Sequence, residues 1–369
     1  MIWFNLLIPL IAMAFVSYKF TSQIHPWEYV ALFGIPTLII IFGNFISISS
    51  QTFSSEYWNS YAIEARYYEP WDEEITTTVT DYDSKGNPKG SHTETHTEYH
   101  SAQYELYDNC GNEHYIESYK FTYLCNFWNN RTFKDMNRDY DNKDGDMYYT
   151  SYTNNFEKLI PLCSSHSYKN KVKASKSVFN FQVVDEATKK DYQLYDYPPC
   201  DTFNFNPILG YNSPEASRLL QKYNALYGKS KQIHMMVLIF QDKPYDAGVM
   251  QENLWKGGNK NEFILCIGLS KNKIKWTKVI SWTESDTLKF KVAREVKNMD
   301  FNILEIVKYL GKEVPPSFVR KQFKDFDYLN VQPTDKAIMI TFILTLLATI
   351  IISIVIVRND YNLTNYRRW

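Results

Sequence analysis

Three uncharged apolar runs punctuate the chain: Ile2–Val16, Tyr29–Ile48 and Ala337–Val357. Between the second and third lies one long stretch rich in polar and aromatic residues. The last run, AIMITFILTLLATIIISIVIV, has 21 residues and no charge. A helix needs ~20 such residues to cross ~30 Å of hydrocarbon. The pattern predicts transmembrane helices over about 2–18, 28–48 and 336–357. The first two form a helical hairpin (1–50) that turns through Lys19–Pro26. The first run lacks the basic start and small-x-small exit of a signal peptide, so it reads as a span. Trp3, Trp27 and Tyr29 suit the aromatic belt at the lipid–water boundary. Pro9 and Pro36 should kink their helices without breaking them.

Basic residues near the runs set an orientation. Lys19 lies in the turn of the hairpin, no basic residue follows the second run until Arg66, and the tail carries Arg358, Arg367 and Arg368. Positive charge collects on the cytoplasmic side. Turn and tail (358–369) are therefore expected in the cytoplasm, and the soluble domain outside, periplasmic or extracellular. Arg320, Lys321, Lys324 and Lys336 oppose this, partly offset by Asp325, Asp327 and Asp335. Cysteine use leans the same way. Cys110, Cys125, Cys163 and Cys200 are disulfide candidates with three alternative pairings, reduced thiols being the other reading. Cys266 stands apart in an apolar run, and the absence of any CxxC argues against a thiolate zinc site.

The insert divides in two. Residues 53–210 read as β-rich, with tyrosine and threonine prominent. Glu74–Tyr82 alternates like a strand, SKGNPKG is a dense turn signal around Gly86-Asn87-Pro88, and Ser91–Leu106 resumes the alternation. Glu117–Phe127, Ser177–Val184 and Asp191–Tyr197 also carry strand character. Residues 211–312 alternate helix and strand. Ser213-Pro214-Glu215 is an N-cap signal, a stripe through Leu219, Leu220, Tyr223, Leu226 and Tyr227 follows, and Gly228 should close that helix. Ile233–Phe240 and Glu262–Leu269 are continuous apolar runs of buried strands, linked by a helix that Asp246 caps and Gly257-Gly258 stops. They should pair in parallel through a right-handed crossover. Ile274–Trp282 is then an antiparallel neighbour, and helices follow over about Asp286–Asn298 and Phe301–Leu310. A linker over 313–335 leads to the last span. The fold class expected is an α+β membrane protein: three transmembrane helices, a β-rich subdomain and a small α/β sandwich.

The α/β part resembles the TPM domain, a small module of bacterial and plastid envelope proteins, over about 213–285. The motifs that carry the resemblance are IHMMVLIF, then Leu254-Trp255 before Gly257-Gly258-Asn259, then FILCIGL, then KNKIKWTKV. Two departures stand in this chain. The family's Asp-Asn-Gly before the second strand is Asn259-Lys260-Asn261-Glu262, and the Gly-rich end of the hairpin is Ser281-Trp282. The resemblance implies a membrane-tethered module that serves a membrane complex as an accessory or acts as a weak phosphatase.

Candidate chemistry is sparse. In SHTETHTEYH, period-two geometry puts His92, Glu94, His96, Glu98 and His100 on one strand face, a pattern able to share a zinc ion or simply to form a solvated polar face. The run Asp135, Asn137, Asp139, Asp141, Asp144, Gly145, Asp146 fails the EF-hand register but suits an acidic surface loop or an irregular calcium loop. Asp242, Asp246, Glu284 and Asp286 fall at strand ends, where open α/β sheets take ligands, although capping explains Asp246 and Asp286. His234 should be a core histidine. No nucleophile elbow, Walker loop, dinucleotide fingerprint or HExxH occurs, and a net charge of -1 argues against nucleic acid. The reading is a non-catalytic, membrane-anchored accessory, assembly or binding protein of the cell envelope. Its partners are the lipid bilayer and a membrane or envelope protein, and no cofactor is required. The alternative is a membrane-tethered, phosphatase-like hydrolase using Zn or Ca.

Overall fold

The computed structural model describes residues 2–19, 25–136, 145–175 and 181–366. In chain order, a 3-10 turn at Ile2–Leu6 leads into α1 (Leu7–Lys19) and α2 (Pro26–Thr52). Strands β1 (Phe53–Tyr68), β2 (Trp71–Tyr82), β3 (Pro88–His100), β4 (Gln103–Asp108) and β5 (Glu113–Tyr115) follow, then α3 (Ser118–Trp128). Next come β6 (Thr132–Lys134), β7 (Met147–Ser151), β8 (Pro161–Lys169), α4 (Lys171–Ala174) and α5 (Glu186–Tyr192). The remainder is β9 (Ile208–Leu209), α6 (Pro214–Lys231), β10 (His234–Gln241), α7 (Asp246–Leu254), β11 (Glu262–Ser270), β12 (Lys273–Ser281), α8 (Asp286–Lys297), α9 (Ile303–Ser317) and α10 (Asp335–Tyr366). The chain forms two compact units: Met1–Ser55 with Ser167–Phe181 and Gln322–Trp369, and Glu56–His166 with Gln182–Lys321.

The first unit holds three helices long and apolar enough to cross a membrane: Ile2–Lys19, Pro26–Thr52 and Asp335–Arg358. They pack around Val16, Leu32 and Ile356, while most of their apolar side chains face outward. Polar contacts add to this packing. Ser17 Oγ donates to the Tyr29 hydroxyl at 3.0 Å, and the Thr334 N–H donates to Ser47 Oγ at 3.1 Å. Gly43 lets α2 approach α10, since a Cβ there would collide with Thr341 Oγ1. Helix α2 continues unbroken through Pro36. Pro9 falls in the first turn of α1, where a missing N–H costs nothing. Helix α10 runs on to Tyr366, so the expected tail begins as helix.

The second unit contains two sheets and a separate hairpin. One sheet has the order β5-β4-β1-β7-β6, with β8 also paired to β1. Its core is Ala62, Ala65, Leu106 and Leu162 against Phe121, Leu124 and Trp128 of α3. Helix α3 corrects the strand expected at Glu117–Phe127. Its aromatics suggest a strand, but the buried residues at 121, 124 and 128 follow helical spacing, and Asn129 (φ 57°) ends the helix in the left-handed region. The strand expected at Asp191–Tyr197 is also corrected, because Asp185 accepts the Thr188 N–H at 2.8 Å and opens α5 instead. For Ser177–Val184, residues 176–180 lie outside the described residues, and 181–184 form no strand.

The other sheet has the order β12-β11-β10-β9. Strands β10 and β11 are parallel with His234 opposite Glu262, and β12 is antiparallel with Ser281 opposite Phe263, as their patterns require. Strand β9, parallel to β10, extends the sheet before residue 211. One face packs on α6, α8 and α9 through Leu220, Val292, Ile306 and Leu310. The opposite face carries Met236, Leu238, Phe240, Ile264 and Cys266 beneath α7 and the Tyr192–Cys200 segment. Helix α9 continues through Pro315 and Pro316 into the expected linker, with Val314 buried and accepting the Phe318 N–H at 2.9 Å. Gly228 does not close α6, which ends at Gln232 (φ 48°); it lies against the Asn59 backbone carbonyl, where a Cβ has no room. Gly228→Ala is expected to cost ~1–3 kcal/mol despite the better helix propensity of alanine, read as a lower urea midpoint by tryptophan fluorescence.

Candidate functional site

The hairpin β2–β3 is a two-stranded sheet of its own. Its register pairs Trp71 with His100, Glu73 with Glu98, Ile75 with His96, Thr77 with Glu94 and Val79 with His92. The expected His–Glu face therefore exists. It is occupied by carboxylate pairing: His92 Nδ1 meets Asp81 Oδ1 at 2.8 Å, and its Nε2 meets Glu94 Oε1 at 3.1 Å. His100 Nε2 meets Glu73 Oε2 at 2.9 Å, and the ring stacks on Trp71 at 4.5 Å. Both nitrogens of His92 are thus engaged. Among the described residues no three His, Cys, Asp or Glu side chains converge on a possible metal position. The opposite face aligns Thr76 with Thr95, Thr78 with Thr93, and Thr80 with Ser91. Almost all of β3 is exposed, whereas β2 is half-buried at its base, from Trp71 to Glu73, and again at Ile75 and Val79. It is shorter than the pattern suggested, because the chain breaks after His100 and β4 joins the larger sheet. At the tip, Asp83 accepts the Lys85 and Asn87 N–H groups at 2.8 and 2.9 Å, and Gly86 takes φ 81°.

Of the acidic run, Asn137, Asp139, Asp141 and Asp144 lie outside the described residues. Asp146 accepts the Met136 N–H at 3.3 Å, and its carbonyl accepts the Glu69 N–H at 2.9 Å, so this part of the run fixes a loop base.

The four strand-end carboxylates do not share an edge. Because β12 is antiparallel, Glu284 and Asp286 follow Ser281 at the end where β11 begins, whereas Asp242 and Asp246 lie where β10 ends. Nor do the two caps hold: Tyr245 and Ser285 occupy the cap positions, with Asp246 and Asp286 one residue inside. Asp286 pairs with Lys289 at 2.6 Å, which holds its carboxyl below the usual range, and Glu284 faces Lys321 at 3.4 Å.

All five cysteines are free thiols. Cys110 is exposed in the turn that Asp108 organises, and Cys125 lines an open groove of about 460 Å³ beside Tyr67, Tyr104, Asn126 and Arg131. Cys163 and Cys200 share one core cluster.

The most heavily charged buried site was not visible in the sequence. Glu56, fully buried, receives Arg320 Nη2 at 2.5 Å and Trp58 Nε1 at 2.9 Å on Oε1. Lys260 Nζ and His166 Nδ1 each stand 3.6 Å from the same oxygen. Burial, offset in part by Glu56 and reinforced by the Arg320 charge, holds the Lys260 pKa below its usual value. Four elements meet here: β1, β8, the turn before β11, and the segment after α9. Asn261 Nδ2 donates to the Tyr57 carbonyl at 2.7 Å, and Glu262 accepts the Asn259 N–H at 2.6 Å.

Beside it lies His234, fully buried as expected, with Nδ1 2.9 Å from Asn59 Nδ2 and Phe205 edge-on to the ring. Burial depresses its pKa from 6.5 to about 3. The unfolded chain binds this proton from about pH 6.5 downward and the folded chain does not, so His234 adds stability above that value and progressively loses it below. The melting temperature of His234→Gln should therefore fall less between pH 7 and 4 than that of the native chain. In the charged cluster, Glu56→Gln is expected to cost ~3–5 kcal/mol in urea unfolding, since it leaves the partly enclosed Arg320 and Lys260 without their counter-charge, and Glu56→Leu combined with Arg320→Met should recover part of the loss. A change under ~1 kcal/mol would place the cluster in solvent. Compared with protein-family models, with curated proteins and with solved structures, the chain matches none.

Proposed function

We propose that this chain is a membrane-anchored accessory protein that binds another envelope or membrane protein through its hairpin arm. The observation that carries the reading is the arm itself. Strands of 12 and 13 residues leave the fold, and among the described residues no third strand pairs with them. A two-stranded hairpin is marginally stable alone in water, and its free edges offer unpaired N–H and C=O groups to another strand. Charge narrows the partner. Between Trp71 and His100 stand seven carboxylates (Asp72, Glu73, Glu74, Asp81, Asp83, Glu94 and Glu98) against Lys85 and Lys89. A basic surface on the partner complements this arm.

The membrane reading rests on the three long apolar helices. The orientation proposed from the basic residues puts the arm outside and the tail in the cytoplasm. The resemblance to the TPM domain supports the same class: the helix, parallel strands and antiparallel partner of the α/β part follow that order, and an apolar helix follows in the chain. The functional reading is thus a tethered platform with no chemistry of its own.

A photo-crosslinker placed at Thr78 or Thr95 of the full-length chain in native membranes should give a discrete protein adduct. The adduct should weaken with rising salt and be absent from a control at the exposed Phe290. Replacing residues 74–97 by a short turn should leave the melting temperature of the remaining fold unchanged. Absence of an adduct from both arm positions would overturn the reading.

A further inference from the structure

Cys163 reaches the inner layer on β8, and the chain returns to the same place as Tyr195–Asp201 after α5. Both side chains belong to the apolar cluster that covers β10 and β11 and that also holds Tyr57 and Phe205. The backbone on each side is pinned. The Cys163 N–H donates to the Thr202 carbonyl at 3.0 Å, and the turn beyond Cys200 closes with the Asn204 N–H on the Asp201 carbonyl, also 3.0 Å. The Tyr57 hydroxyl donates to the Pro198 carbonyl at 2.8 Å, two residues before Cys200.

Exposure and protonation divide the pair. Cys163 is 5% exposed, whereas Cys200 is half-buried. The adjacent Cys200 thiol, then burial, push Cys163 up, while the hydrogen bond from Cys163 holds Cys200 below its usual value. An external disulfide can reach the more accessible sulphur, and the enclosed one is placed to resolve the mixed disulfide, an attacking and resolving arrangement.

We propose that Cys163 and Cys200 are a dithiol–disulfide couple, oxidised by exchange with an external disulfide, that staples β8 to the segment covering the α/β sheet. In the first step the Cys200 thiolate attacks one sulphur of the oxidant, whose S–S bond breaks and releases one thiolate. In the second, Cys163 gives up its proton and attacks Cys200 Sγ, and the mixed disulfide breaks to release the second thiolate. Two protein thiols are oxidised, one disulfide is reduced to two thiols, and the two protons end on the released sulphurs. Of the three pairings open to the sequence, this selects Cys163 with Cys200 and leaves Cys110 and Cys125 unpaired.

The test uses the detergent-solubilised full chain, equilibrated in glutathione buffers of graded oxidation, acid-quenched, alkylated and mapped by mass spectrometry. One two-electron transition should appear, with a linked Cys163–Cys200 peptide and with Cys110, Cys125 and Cys266 alkylated throughout. Cys163→Ser should accumulate glutathione on Cys200, and Cys200→Ser should carry none on Cys163. Both sulphurs still alkylated at the most oxidising ratio, or either one linked to another cysteine, would overturn the proposal.

Discussion

The buried carboxylate of Glu56 is the constraint around which the second unit is arranged. A carboxylate out of water costs several kcal/mol unless charge and hydrogen bonds replace its hydration. Here Arg320 and Trp58 bond to it directly, with Lys260 and His166 next to them. Glu56 opens the unit and Arg320 stands next to its final residue, so the ion pair closes the two ends of the folded region on each other. The chain continues from these ends into helices long and apolar enough to cross a membrane. A pull on either connection is thus met by a charge pair that cannot part without leaving a buried ion alone. The resulting penalty resists separation more than a surface pair would, because solvent cannot screen it.

Strand β1 extends that constraint through the fold. Its first half docks on the α/β sheet: the Tyr57 carbonyl takes Asn261, and Asn59 meets both the Ile233 carbonyl at 3.2 Å and the ring of His234. Its second half lies between β4 and β7, with Ala65 opposite both Leu106 and Thr150. Alanines at 62 and 65 leave the space that Phe121, Leu124 and Trp128 fill. One strand therefore serves two cores, and the buried polar groups at its first turns fix its position along the second sheet. A purely apolar contact would tolerate sliding; paired hydrogen bonds to Tyr57 and Asn59 do not.

What the sequence revealed follows from how local each signal is. The apolar runs, the N-cap at Ser213 and the continuous patterns of β10 and β11 are read from neighbouring residues alone, and the structure has them. Helix α3 was misread because aromatic and threonine content favours a strand, whereas the buried positions 121, 124 and 128 that decide the matter depend on the β-sheet they pack against. The strand-end acids were grouped by sequence position, but the antiparallel return of β12 sends Glu284 and Asp286 to the opposite end from Asp242 and Asp246. Glu56 and Arg320 carried no signal, because their partnership exists only once the ends of the unit meet. The histidine face was legible as geometry, yet its occupancy by Asp81 and Glu73 depended on strand register.

The same physics separates the arm from everything else in the unit. Every other long strand has a covered face: Ala62 and Leu106 lie under α3, and β10 and β11 are buried on both sides. The arm has cross-strand threonine pairs and carboxylate–histidine contacts, each worth ~0.2–1 kcal/mol, over strands whose ordering costs about 1–2 kcal/mol per residue. Those contacts fix register more readily than they supply stability. Trp71 and His100 stack at its base and hold the two strands together there. An element so long and so little covered keeps its register through its own cross-strand contacts.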